Sequence, residues 1–132
     1  MHLIVCVDQR DGMSFCGRRL SSDRTLTDYI WKLASKSKLW MNAYSAKLFP
    51  ETEVLVDESF LQKASKGEYC FAENTPLENL TDVESVTLCH WNRRYPSTEI
   101  FPRMLLADLH LVHTEEFPGN SHETLTIERY ML

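Results

Sequence analysis

The apolar pattern changes character along this chain, and that change restricts the fold more than any other feature. Up to residue 72, short apolar runs alternate with segments of helical spacing. Beyond residue 85, three strand-like runs follow with no long helix between them. Alternating strands and helices require parallel strands joined by crossovers. A terminal strand pair without helices requires an antiparallel hairpin at the edge of the same sheet. The expected fold class is therefore α/β: a mixed, mostly parallel sheet with an antiparallel C-terminal hairpin and flanking short helices. At 132 residues, 43% of them hydrophobic, the chain has enough apolar surface for one core, and a single domain over 1–132 is expected.

His2-Leu3-Ile4-Val5-Cys6-Val7 is almost wholly apolar and reads as a strand buried on both faces. Residues 8–20, which hold Gly12 and Gly17, read as a loop. Ser21, Ser22 and Asp23 can cap a helix whose Leu26, Ile30, Leu33 and Ala34 share one face. Leu39-Trp40-Met41 is a second strand, and a short helix over 44–49 is stopped by Pro50. Glu53 to Val56 reads as a third strand. Asp57 or Ser59 starts a helix that carries Phe60, Leu61 and Ala64 and ends at Gly67. Tyr69 to Ala72 is a fourth strand, and Thr75-Pro76-Leu77-Glu78 is a capping box with proline at its first helical position. Val86 to Trp91, Leu109 to His113 and Thr124 to Tyr130 are strand-like, with Phe117-Pro118-Gly119-Asn120 turning between the last two.

Several chemistries are disfavoured at this level. A net charge of −5 repels a polyanion, and Arg18-Arg19, Arg93-Arg94 and the Lys36/Lys38 pair do not join into one basic run, so no nucleic-acid partner is expected. Cys6, Cys16, Cys70 and Cys89 form no C-x-x-C pair; three sit in apolar runs and read as buried free thiols. No signal-like segment precedes the first strand and no apolar stretch can span a bilayer, so a cytoplasmic location and no membrane partner are expected. His90, His110, His113 and His122 match no metal-ligand spacing, and no G-x-S-x-G, P-loop or G-x-G-x-x-G is present. Trp91, Arg93, Arg94 and Tyr95 mix aromatics with arginine, as a binding hot spot does and as a packed strand end also does.

Several short segments resemble dihydrofolate reductases in order and spacing. Leu3-Ile4-Val5-Cys6-Val7-Asp8 with Gly12-Met13 is similar to that family's opening strand and loop, and Leu39-Trp40-Met41 to its second strand. Val86-Thr87-Leu88-Cys89-His90 and Ile100-Phe101-Pro102 resemble a late strand and its following loop. Leu111 to Glu116 and Thr126 to Tyr130 resemble the closing hairpin. The resemblance covers about the first 45 and the last 48 residues. It implies a dihydrofolate-reductase-like sheet.

The departures bear on function. Where the family has a Gly-Arg-x-Thr step holding cofactor phosphate, this chain has Asn42-Ala43-Tyr44-Ser45. Where it has paired glycines that admit pyrophosphate, this chain has Glu73-Asn74-Thr75-Pro76, and its middle is short by about one strand and loop. The resemblance places the family's catalytic acid at Asp23, with Asp28 as the alternative and helix capping as the competing role for Asp23. The family's tryptophan before that acid is absent, and Cys89 stands where its supporting threonine would be. The resemblance implies a small heterocyclic ligand lined by Val5, Cys6, Phe71 and Cys89 from strands and by Tyr29, Ile30 and Ser45 from helices. The function expected is a non-catalytic binding or accessory domain of unknown ligand, without an intact NADPH site and with no cofactor. The alternative is an NADPH-dependent reductase of a pteridine-like substrate. A homo-oligomer through the Trp91–Tyr95 strand end or a sheet edge is a third expectation.

Overall fold

A strand that is apolar on both faces needs neighbours on both sides and layers above and below. β1 (His2–Val7) has them in the computed structural model, which describes residues 1–50 and 52–132. The elements that follow are β2 (Gly12–Phe15), β3 (Arg18–Arg19), α1 (Arg24–Ala34), β4 (Leu39–Met41), α2 (Ala43–Ala46), β5 (Leu55–Val56), α3 (Phe60–Lys63), β6 (Tyr69–Ala72), β7 (Ser85–His90), β8 (Glu99–Ile100), a 3-10 turn (Arg103–Leu106), β9 (His110–Phe117) and β10 (Leu125–Met131). The seven-stranded sheet has the order β5-β4-β6-β1-β7-β10-β9, with β1 at its centre. Its first five strands pair in parallel. β10 runs antiparallel to β7 and β9. This is the expected mixed, mostly parallel sheet with an antiparallel C-terminal hairpin.

Side chains alternate along a strand, so β1 feeds two separate cores. Leu3, Val5 and Val7 pack with Phe60, Ala72, Leu88 and Phe101 on one face. Ile4 and Cys6 pack with Phe71, Cys89, Ile127 and α1 on the other. α1 presents Leu26, Ile30 and Ala34 to that second core at a spacing of four residues, and Asp23 caps its first turn through the N–H of Thr25.

Three local readings differ from the structure. Residues 8–20 are not simply a loop: β2 pairs with β3 and with β8, 85 residues away, as a small second sheet. The capping box at Thr75 starts no helix. Asn79 and Asp82 take φ of 66° and 62°, and one turn of helix cannot repay its nucleation without further residues. Leu77 is buried all the same, at 1% exposure, and anchors the segment as an irregular strap. The helix expected over 44–49 is shorter because Asn42, itself an N-cap, starts it earlier, and it relaxes into turns after Ala46. Trp91 is 4% exposed, which agrees with the packed strand end of the two readings open for the Trp91–Tyr95 group. No helix among the described residues is long and apolar enough to cross a membrane.

Candidate functional site

In open α/β sheets, chemistry gathers at the carboxyl ends of the parallel strands. Here that edge carries Asn42 after β4, Glu73 after β6 and Trp91 after β7, with the start of α1 opposite. The cleft between them is lined by Cys6, Ser21, Asp23, Ile30, Phe71 and Trp91 among others, and it holds a cavity of only about 10 Å³. That is about the room for a single water molecule and far below the several hundred cubic ångströms of a ligand pocket.

His122 takes up the missing space. It comes from the β9–β10 connection, stacks on Trp91 with ring centroids 4.8 Å apart and planes at 26°, and is buried. Its Nδ1 lies 2.9 Å from Asp23 Oδ2. The same loop gives Asp23 the N–H of Asn120 at 3.0 Å, the N–H of Ser121 at 2.8 Å and the Ser121 hydroxyl at 3.1 Å. With the Thr25 N–H at 2.9 Å, Asp23 receives five donors. A carboxylate offers about four lone-pair sites, so none is left over for a ligand. Burial by itself would raise the Asp23 pKa. The Asn120 N–H, the His122 ring and the Ser121 donors outweigh burial and hold the group well below the usual carboxylate range.

The other half of the cleft is closed by an ion pair. Arg19, on β3, donates from Nε to Glu73 Oε2 at 2.9 Å and from Nη2 to Oε1 at 3.0 Å, a two-pronged match of fork to carboxylate. Ser45 donates its hydroxyl to Glu73 Oε1 at 2.8 Å. The guanidinium also lies 4.2 Å above the Tyr44 ring and donates to the Tyr44 carbonyl. Asn42 bonds to Asn74, and Asn74 donates to the Gly17 carbonyl, tying the β2–β3 turn down over the same edge. Arg19 is thus the cation at this edge, and its fork is engaged by Glu73 and the Tyr44 carbonyl.

The structure brings only some of the sequence-derived residues together. Asp23, Cys6, Ile30 and Phe71 line the small cavity. Ser45 is buried beside it on Glu73. Cys89 is the register partner of Cys6 on the adjacent strand. Hydrogen bonding to Cys89, together with burial, pushes the Cys6 thiol well up, and burial pushes Cys70 up to about 12, so neither is a ready thiolate. Tyr29 packs on Phe117 at 5.3 Å, away from the cavity lining. Val5 faces the opposite core and has no access to the cleft. His122, Trp91, Arg19, Ser21 and Tyr95 also contribute, though the sequence placed them elsewhere: Trp91 and Tyr95 in a hot-spot or strand-end group, Ser21 as a cap, His122 among scattered histidines and Arg19 in a basic pair. No spacing rule links His122 to Asp23 across 99 positions.

The open volume lies outside the cleft. A groove of about 810 Å³ runs beside α1, with Trp31, Leu48 and Phe49 for its apolar lining and Arg24, Lys47 and Asp28 for its charged groups. A second groove, of about 730 Å³, lies at the other end of the strands beside Met1 and Glu84.

No family model matches the sequence, and no curated protein matches it. Among solved structures, a dihydrofolate reductase from Enterococcus faecalis, complexed with NADP(H) and RAB-propyl, is similar over 98% of this chain and 94% of that one. The TM-score is 0.69 and the sequence identity 13%. At that identity the likeness establishes the fold: this chain has a dihydrofolate-reductase-like α/β architecture.

Proposed function

We propose that this chain is a binding or accessory domain on a dihydrofolate-reductase-like scaffold, resident in the cytoplasm, that does not perform NADPH-dependent reduction. The observation that carries this reading is the state of Asp23. The group that would meet a substrate's heterocycle meets the chain's own heterocycle, the His122 imidazole, with every acceptor site in use. The free thiols of Cys6, Cys70 and Cys89, buried beside one core or the other, agree with a reducing compartment.

The residues present do not fit NADPH. Pyrophosphate needs bare backbone N–H groups and a cation. Glu73 sets a carboxylate at that edge, its arginine partner is already neutralised, and Asn42 caps α2 where a phosphate would accept. A ligand of this domain would lie in the groove along α1, whose lining combines apolar and charged groups.

The alternative, an NADPH-dependent reductase of a pteridine-like substrate, draws on the cofactor held by the Enterococcus faecalis enzyme. It requires the β9–β10 loop to withdraw His122 from Asp23. A thermal-shift titration separates the two. A ligand at about 100 times its Kd stabilises by about 2.7 kcal/mol, a rise of several degrees. We expect no rise with NADPH, NADH or dihydrofolate at 1 mM. A saturable rise with NADPH would overturn the proposal.

A further inference from the structure

The contacts that close the cleft also place three side chains in a functional order. Ser21 Oγ lies 3.0 Å from His122 Nε2, and His122 Nδ1 lies 2.9 Å from Asp23 Oδ2. An ionised carboxylate only accepts, so in the neutral ring the proton sits on Nδ1 and Nε2 is the acceptor. The Ser21 hydroxyl then donates to Nε2. Tyr95 offers its hydroxyl to the same nitrogen from 3.3 Å, the longer contact. Trp91 stacking fixes the ring plane. Ser21 is half-buried, while His122 and Asp23 are buried behind it. The backbone N–H groups of Ser22 and Arg24, beside Ser21 at the start of α1, donate to no acceptor among the described residues.

From this geometry we infer that Ser21 is a nucleophile with His122 as its base and Asp23 as the residue that positions the base, hydrolysing a small carboxylic ester that reaches the half-buried Ser21 hydroxyl from solvent. Hydroxyl, imidazole and carboxylate in this hydrogen-bonded sequence are what acyl transfer needs, because the hydroxyl must lose its proton as it attacks. Ser21 Oγ bonds to the ester carbonyl carbon and its proton passes to Nε2. The carbon–oxygen bond to the alcohol breaks, and the alcohol leaves with that proton. Water then adds its oxygen to the acyl carbon and a proton to Nε2. The acid departs as Ser21 regains the proton. The N–H of the residue after the nucleophile is a common oxyanion donor, and Ser22 supplies one. Ser21 lines the water-sized cleft and not the groove, but the two share Ser22, Asp23, Thr27 and Leu48, so an ester attacked at Ser21 extends its apolar part along Trp31 and Phe49 and an anionic substituent toward Arg24 and Lys47.

The test uses the full chain with a fluorophosphonate probe, read by intact mass and peptide mapping, and with p-nitrophenyl acetate for turnover. One adduct per chain on Ser21 is expected. Ser21→Ala, which removes one half-buried hydroxyl and should fold normally, should take none. His122→Gln should slow labelling by about 10²–10⁴-fold, the usual size of a general-base contribution. In Asp23→Asn the ring loses its fixed tautomer, so its 15N spectrum should show the proton at Nε2 and labelling should slow with the fold kept, a paired effect that a purely structural role would not produce. No adduct on the wild-type chain, an adduct elsewhere, or equal ester turnover by Ser21→Ala would overturn the inference. NADPH binding would overturn the proposed absence of cofactor-dependent reduction alone, since labelling of Ser21 does not involve the cofactor.

Discussion

Asp23→Ala is expected to lower folding stability by about 3–5 kcal/mol, since each buried donor left without its acceptor costs about 1–3 kcal/mol and the losses in one network add only in part. The substitution orphans the N–H groups of Thr25, Asn120 and Ser121 together with His122 Nδ1, all of them gathered on one carboxylate. It also removes the cap of α1, and so strikes helix and loop at once. Urea denaturation followed by circular dichroism measures the loss, and a change under 1 kcal/mol would contradict the role assigned to Asp23. The pH dependence carries a second signature. A carboxyl whose folded pKa is depressed binds fewer protons than its unfolded counterpart, so stability rises with pH across the interval between the two values. Its contribution is complete above the unfolded value near pH 4 and is lost as pH falls toward the folded one. Asp23→Ala should therefore flatten the acid limb of the stability curve. Part of the limb should persist, because the Gly67 N–H and neighbouring positive charge hold Glu84 down to about 2.

Gly119→Ala is expected to destabilise the chain by about 1–3 kcal/mol, the usual cost of overpacking. A Cβ at position 119 would stand 2.6 Å from Asp23 Oδ2, 2.9 Å from the His122 carbonyl oxygen and 3.1 Å from Leu125 Cδ1. None of these can step aside. Asp23 is pinned by its donors, the His122 carbonyl accepts the Gly119 N–H, and Leu125 is fully buried. The loop itself has to move, and it carries His122 with it. For a domain of this size the cost is a drop in Tm of roughly 3–12 °C. The same variant should loosen the cleft: hydrogen exchange at Asn120 and Ser121, slow while they bond Asp23, should speed up. An unchanged Tm would mean that this loop does not press on Asp23.

The scaffold was legible where local signals are strong. The uninterrupted apolar run of β1, the four-residue spacing of Leu26, Ile30 and Ala34, and the apolar segments of β4 and β6 each fall on the observed element. β2, β3 and β8 were illegible because two- and four-residue strands carry too little pattern, and their pairing joins Gly12 to Ile100. At Thr75 a good local cap misled, since tertiary burial of Leu77 and left-handed turns at Asn79 and Asp82 override a single turn's propensity. The candidate site shows the same division. That Asp23 caps α1 could be read from its place before an apolar helical face. Its other donors come from residues 97 to 99 positions away, and Arg19 meets Glu73 across 54. The local role of Asp23 was therefore legible, and the distant residues that close around it were not.

The central claim is that His122 occupies the place of a heterocyclic ligand and holds it against competitors. The most direct measurement is the 15N spectrum of the His122 ring while NADPH and dihydrofolate are added together to millimolar concentration. The account predicts a single fixed tautomer, protonated at Nδ1 and bare at Nε2, whose shifts do not move. A ring whose two nitrogens become equivalent on titration, as a solvent-released imidazole's would, contradicts it.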